Sequence, residues 1–113
     1  MAAAPLPTPP GGPVVAVTAT GERRAVLVLA GDVGAGALRE LEERLTVPPL
    51  SEAGEWTVDL SAVTRIDLAC AYALLRAATQ RPETVTLLLR GARRPVQRTL
   101  RHAGLDAVAV IEE

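Results

Sequence analysis

The 113-residue sequence predicts one α/β domain whose sheet is largely parallel and opens with an antiparallel hairpin. Two observations carry this. After residue 30, short apolar runs of strand length alternate with amphipathic segments of helical length, and strands separated by helices pair in parallel. Before residue 30, two apolar runs are joined by only a short turn, which allows a hairpin but no crossover.

Each element has a local cause. Val14–Thr18 alternates weakly and reads as a first strand. Gly21-Glu22 turns the chain, and Ala25–Ala30 (AVLVLA) is a continuous apolar run that suits a strand covered on both faces. Ala37–Leu45 is helical, with Leu38, Leu41 and Leu45 on one face and Glu40 and Arg44 paired along another. Pro48 and Pro49 stop that helix, and residues 47–54 form a loop. Trp56–Leu60 is the next strand, after which Ser61–Arg65 is expected to turn toward Ile66 and Asp67. Asp67 is expected to cap a helix over Leu68–Gln80, its carboxylate accepting an orphan amide. Pro82 marks the following loop, Val85–Leu89 (VTLLL) is a strand, and Gly91 closes it. A helix over Arg93–Ala103 tolerates Pro95 in its first turn and stops at Gly104. Ala107–Ile111 is a short last strand, giving the order β-β-α-β-α-β-α-β without an internal repeat.

Composition narrows the function classes. Residues 1–13, MAAAPLPTPPGGP, hold five of the nine prolines and read as a flexible or polyproline-like leader before a domain over 14–113. Trp56 and Tyr72 are the only aromatics, so little surface exists for stacking bases, and a net charge of −1 argues against nucleic acid as partner. All 12 basic residues are arginine, a bias that GC-rich coding produces without any functional demand. A lone cysteine excludes an intramolecular disulfide. No run approaches the ~20 apolar residues of a membrane span, and the N-terminus lacks the pattern of a signal peptide. A cytosolic location without membrane insertion is the default expectation.

The stretch VDLSAVTRIDLACAYALLRAA, Val58 to Ala78, resembles the central motif of STAS domains, the anti-sigma factor antagonist family. There a strand and an aspartate-containing turn lead into Asp-Ser-Ser-Gly-Leu and a helix. Leu29-Ala30-Gly31-Asp32-Val33 is similar to the family's earlier strand end, and LLRGARRPVQRTLRHAGL, Leu88 to Leu105, to its late strand and helix. The resemblance covers residues 14–111. It implies a mixed four- to five-stranded sheet with helices packed mainly on one side. It also implies a non-enzymatic domain that works by binding a protein, with neither cofactor nor metal. Members capture an anti-sigma factor of the serine-kinase ATPase type when unphosphorylated and release it when phosphorylated. Others serve as accessory subunits of ABC-type lipid transporters, where the partner is an ABC ATPase, or as tails of anion transporters.

Carried over by position, Asp67 matches the family aspartate, Leu68 the first serine, Ala69 the phosphoacceptor serine and Cys70 the glycine. Gly34 stands where many members carry an acid. A methyl group at Ala69 offers no oxygen to phosphorylate, so the usual switch is absent there. The resemblance places partner binding on Asp32, Gly34, Asp67, Leu68, Ala69, Cys70 and Tyr72. Phosphorylation at Ser61 or Thr64 is the remaining route to such control.

Other residues have plainer readings. Cys70 near a helix start could carry a lowered thiol pKa, but a small semi-buried hydrophobe replacing glycine explains it better. His102 reads as a capping or surface residue near a helix C-terminus. Gly31, Gly34 and Gly36 resemble a phosphate cradle, with Asp59 placed as a ribose-binding acid. The glycines do not follow G-x-G-x-x-G, and the chain has no lysine, so a small nucleotide-binding domain is the weakest alternative. Arg94, Arg98 and Arg101 form the solvated face of an amphipathic helix, while Arg93 and Arg94 at its start leave room for an acidic partner.

Overall fold

The structure is a computed structural model that describes residues 14–112; the leader expected over residues 1–13 lies outside them. Strands β1 (Val14–Gly21), β2 (Arg24–Val33), β3 (Glu55–Ile66), β4 (Thr86–Arg90) and β5 (Ala109–Glu112) form one sheet in sequence order. β1 and β2 are antiparallel, and the remaining neighbours are parallel. Helices α1 (Ala35–Leu45), α2 (Leu68–Thr79) and α3 (Arg94–His102) each cross between neighbouring parallel strands. Right-handed crossovers between sequentially ordered strands put all three helices on the same face.

Burial along the strands agrees with this. Ala25, Leu27, Leu29, Trp56, Val58, Leu60, Leu87 and Leu89 are buried. Their alternates Val26, Val28, Thr57 and Leu88 are half-buried, and Val110 is exposed. The AVLVLA run is therefore covered on one face only, contrary to its reading as a doubly buried strand. The helices close the core with Leu41 and Leu45 from α1, Ala71 and Leu74 from α2, and Val96 and Leu100 from α3.

Outside β3, element ends differ from the sequence reading by one to three residues: β2 runs on to Val33, α1 begins at Ala35 and α3 spans Arg94–His102. The hairpin turns one residue later, at Glu22-Arg23, because Gly21 still pairs with Arg24; Arg23 takes a left-handed φ of 62°. Residues 47–54 contain a 3-10 turn, Leu50–Glu52, whose Leu50 carbonyl accepts a hydrogen bond of 3.0 Å from Trp56 Nε1. The segment before β5 winds into a second 3-10 turn, Leu105–Ala107, so the last strand starts at Ala109.

The largest difference is Ser61–Arg65, which continues β3 instead of turning. Its partner is the end of β2, with Ala30 opposite Ala62 and Asp32 opposite Arg65, and the register shifts twice along the way. Each shift inserts an extra residue on β3, so burial falls on Val63 and Ile66 three apart rather than on alternate positions. At the first shift, Asp59 Oδ1 accepts the Ser61 amide at 3.0 Å and the Ser61 hydroxyl at 2.7 Å. Those two bonds, with Arg90 nearby, hold the Asp59 carboxyl below its usual range.

Candidate functional site

Because β2 and β3 are parallel, their C-terminal ends deliver two helix starts side by side, the usual position for a site in such sheets. The Asp67 amide donates to the Val33 carbonyl at 2.9 Å, joining the β3–α2 junction to the β2–α1 junction. The Gly34 carbonyl accepts the Ala37 amide at 2.9 Å and the Cys70 Sγ at 3.4 Å. The two helix starts are thus one unit.

Arg65 ties the charged groups together. Its Nε lies 3.2 Å from Asp32 Oδ1 and its Nη1 lies 2.7 Å from Asp67 Oδ1. Asp67 has the extended backbone of an N-cap, φ −76° and ψ 150°, but makes no side-chain capping bond. This corrects the capping role expected for it: the carboxylate faces a guanidinium, a stronger charge-assisted partner than a neutral amide. Gly34 is part of the same arrangement, since a Cβ there would sit 3.2 Å from Arg65 Nη2 and 3.3 Å from Asp32 Oδ1. An acid at position 34 would add a third carboxylate to this pocket, which Gly34 avoids.

Of the residues expected to bind a partner, Asp32, Gly34, Asp67, Leu68, Ala69, Cys70 and Tyr72 do converge here, but unequally. Asp32 and Ala69 are exposed, Asp67 and Leu68 half-buried, and Tyr72 is 38% exposed. Ala69, Tyr72 and Arg76 recur at helical spacing on the outer side of α2, giving an apolar ridge that ends in a charge held by Glu42 at 3.3 Å. Gly34 and Cys70 are buried and lie under the surface, not on it.

Cys70 fills the role of a small core residue. Burial pushes its thiol pKa up, and the carboxylates of Asp67 and Glu42 add to the rise. A raised folded pKa means the stabilisation is complete below the ordinary thiol range and is lost as pH climbs through the folded value. Alkylation of the native protein at about pH 8 should run at least about a hundredfold slower than in the urea-unfolded chain. Equal rates, followed by mass spectrometry, would show the thiol to be open.

Arg65 was not singled out from the sequence, although its parallel register with Asp32 and its i, i+2 relation to Asp67 were the available signals. Arg98, Thr99 and His102 were also missed as neighbours. With Arg65, Ile66, Asp67 and Leu68 they line a shallow cleft of about 280 Å³. Arg93 and Arg94 stand at the opposite end of α3. Ser61 and Thr64 lie within β3, not on the loop before α2. No group of three His, Cys, Asp or Glu suited to a metal occurs among the described residues, and no helix among them is long and apolar enough to cross a membrane.

Residues 16–112 match the family model described as "Mlab, STAS domain", and the chain belongs to the STAS family. No curated protein sequence matches it. Among solved structures, an anti-sigma factor antagonist from Mycobacterium paratuberculosis superposes with TM-score 0.75 at 18% identity, covering 95% of this chain and 90% of that one. One from Thermotoga maritima, called a putative anti-sigma factor antagonist, gives 0.71 at 14%, covering 88% and 86%. The antagonist SpoIIAA in its unphosphorylated form gives 0.67 at 9%, covering 88% of each. At these identities the likeness is one of fold.

Proposed function

We propose that this domain is a non-enzymatic docking module of the anti-sigma factor antagonist type that binds an anti-sigma, serine-kinase-like ATPase without a serine switch at the α2 start. The carrying observation is the exposed Ala69 beside Leu68 and Tyr72, at the end of a helix locked to the β2–α1 junction. This surface is apolar, small at its centre and rigid, which suits burial against a partner. A phosphate on a serine there would bring nearly two negative charges into the contact. Alanine instead keeps the surface in its uncharged form, so binding is constitutive. Ser61 does not replace it: its hydroxyl is donated to Asp59 at 2.7 Å, and a phosphate would face that carboxylate.

The test is capture of partners from a native lysate by the wild type and by Ala69→Glu. A stoichiometric ATPase of the anti-sigma kinase type should be retained by the wild type. The glutamate should weaken it roughly thirtyfold or more, because a charge is buried without a partner. Ala69 is exposed in the free domain, so the variant should keep its far-ultraviolet circular dichroism. Full capture by Ala69→Glu removes this interface. Recovery of an ABC ATPase instead assigns the same surface to a lipid-transporter accessory subunit.

A further inference from the structure

Arg23, Arg24, Arg44, Arg65, Arg76 and Arg90 each pair with a carboxylate. Arg81 donates instead to the Leu50 and Ala53 carbonyls, and exposed Arg39 is unpaired but shares α1 with Glu40, Glu42 and Glu43. The arginines at α3 have neither kind of partner nor an acid on their own helix. Arg93, Arg94, Arg98 and Arg101 are exposed, and no ion pair forms to any of them among the described residues. The helix, RPVQRTLRH, contains no acidic residue to offset them. Arg94, Arg98 and Arg101 follow one another at i, i+4 and i+7, and with Gln97 they line an open cleft of about 390 Å³. The opposite face is fixed in the core by Val96 and Leu100.

Helix stability accounts for Arg101, which lies in the last turn where the dipole favours a cation, but not for the arginines before it. Arg93 is the N-cap and Arg94 the first helical residue, where the helix dipole disfavours cations, and no acid is present in the first turn. A local rule broken without local compensation points to an external demand. Guanidinium forks match carboxylates in bidentate geometry. Phosphates in a nucleic acid fit less well: the net charge is −1, and Trp56 is buried while Tyr72 lies on α2, so α3 offers no stacking side chain. A membrane surface also fits poorly, because the outer face of α3 exposes no large apolar side chain for insertion.

We propose that the outer face of α3 binds a carboxylate-rich segment of a protein partner, as a second contact beside the Ala69 surface. The inference rests on the docking reading above, and the two surfaces are continuous, since Arg98 and His102 line the cleft that reaches Asp67 and Leu68. The partner accordingly presents an apolar patch to α2 and an acidic flank to α3. The basic face steers encounter and fixes orientation, so its contribution falls steeply with salt.

The test uses a labelled helical peptide with glutamates at every third and fourth position, followed by fluorescence anisotropy. Wild type should bind it, with Kd rising about tenfold as salt increases from roughly 20 to 200 mM. Arg98→Glu/Arg101→Glu should weaken binding at least about thirtyfold, and Arg98→Lys/Arg101→Lys about threefold, because lysine keeps the charge and loses the fork. The peptide carries no apolar patch for α2, so its binding reports on α3 alone, whereas loss of lysate capture by Ala69→Glu reports on α2, and the two surfaces can fail separately. Circular dichroism confirms that the variants fold. The proposal is overturned by absence of peptide binding, by equal binding after charge reversal, or by tighter binding of a single-stranded oligonucleotide or a phosphatidylglycerol vesicle.

Discussion

Trp56→Ala should destabilise the domain by about 3–5 kcal/mol, the range for truncating a buried aromatic. The side chain is 1% exposed and stands on β3 between Ala25 of β2 and Leu87 of β4, in the centre of the sheet. Its Nε1–H also holds the Leu50 carbonyl, and the Arg81 guanidinium lies 5.8 Å from the ring centroid while donating to the Ala53 carbonyl at 2.6 Å. Truncation therefore opens a cavity and frees residues 47–54 together. A domain of this size has on the order of 5–15 kcal/mol in total, so Tm should fall on the order of 20 °C. Trp56→Phe keeps most of the volume and should lose only about 1–2 kcal/mol for the missing hydrogen bond. Thermal melts followed by circular dichroism decide; a fall under about 5 °C for Trp56→Ala would mean the ring is not a core anchor.

The sheet and helix order were legible because apolar runs and amphipathic segments differ in period, and Leu41, Leu45, Val96 and Leu100 fell where those periods put them. The second half of β3 was not. Two bulges convert its alternation into a spacing of three, and Ser61, Thr64 and Arg65 then look like turn residues. The one-sided covering of β2 was also hidden, since Val26 and Val28 on the open face are as apolar as Leu27 and Leu29 beneath the helices. Periodicity cannot separate two apolar faces.

The site shows the same division. Ala69, Leu68 and Tyr72 were placed by their position after Asp67, and helical spacing brings them to one surface. Cys70 follows from its size, because a buried position under a neighbouring loop accepts only a small side chain. The role of Asp67 required a long-range contact. Its carboxylate meets Arg65, which also holds Asp32, and that triangle exists only because β2 and β3 pair in this register. Local capping logic describes Asp67 alone, whereas the fold supplies a cation.

Three glycine substitutions separate backbone strain from close approach. Gly91 joins β4 to α3 with φ of +78°, and a Cβ there would lie 2.9 Å from Ser61 Cβ and 3.1 Å from the Ser61 backbone. Because the obstacle includes a strand held in the sheet, neither side gives way cheaply. Gly91→Ala should cost about 3 kcal/mol, the sum of left-handed strain and overpacking. Gly104, with φ of +94° and nothing within 4 Å of a Cβ, carries the strain alone, so Gly104→Ala should cost about 1 kcal/mol. Gly36 lies in α1 with no positive φ and open space, so Gly36→Ala should stabilise by about 0.5 kcal/mol. Urea melts give the order directly. Equal losses for Gly91→Ala and Gly104→Ala would mean that the β3 bulge moves aside, and the path from β4 into the basic helix would then be softer than its contact with Ser61 implies.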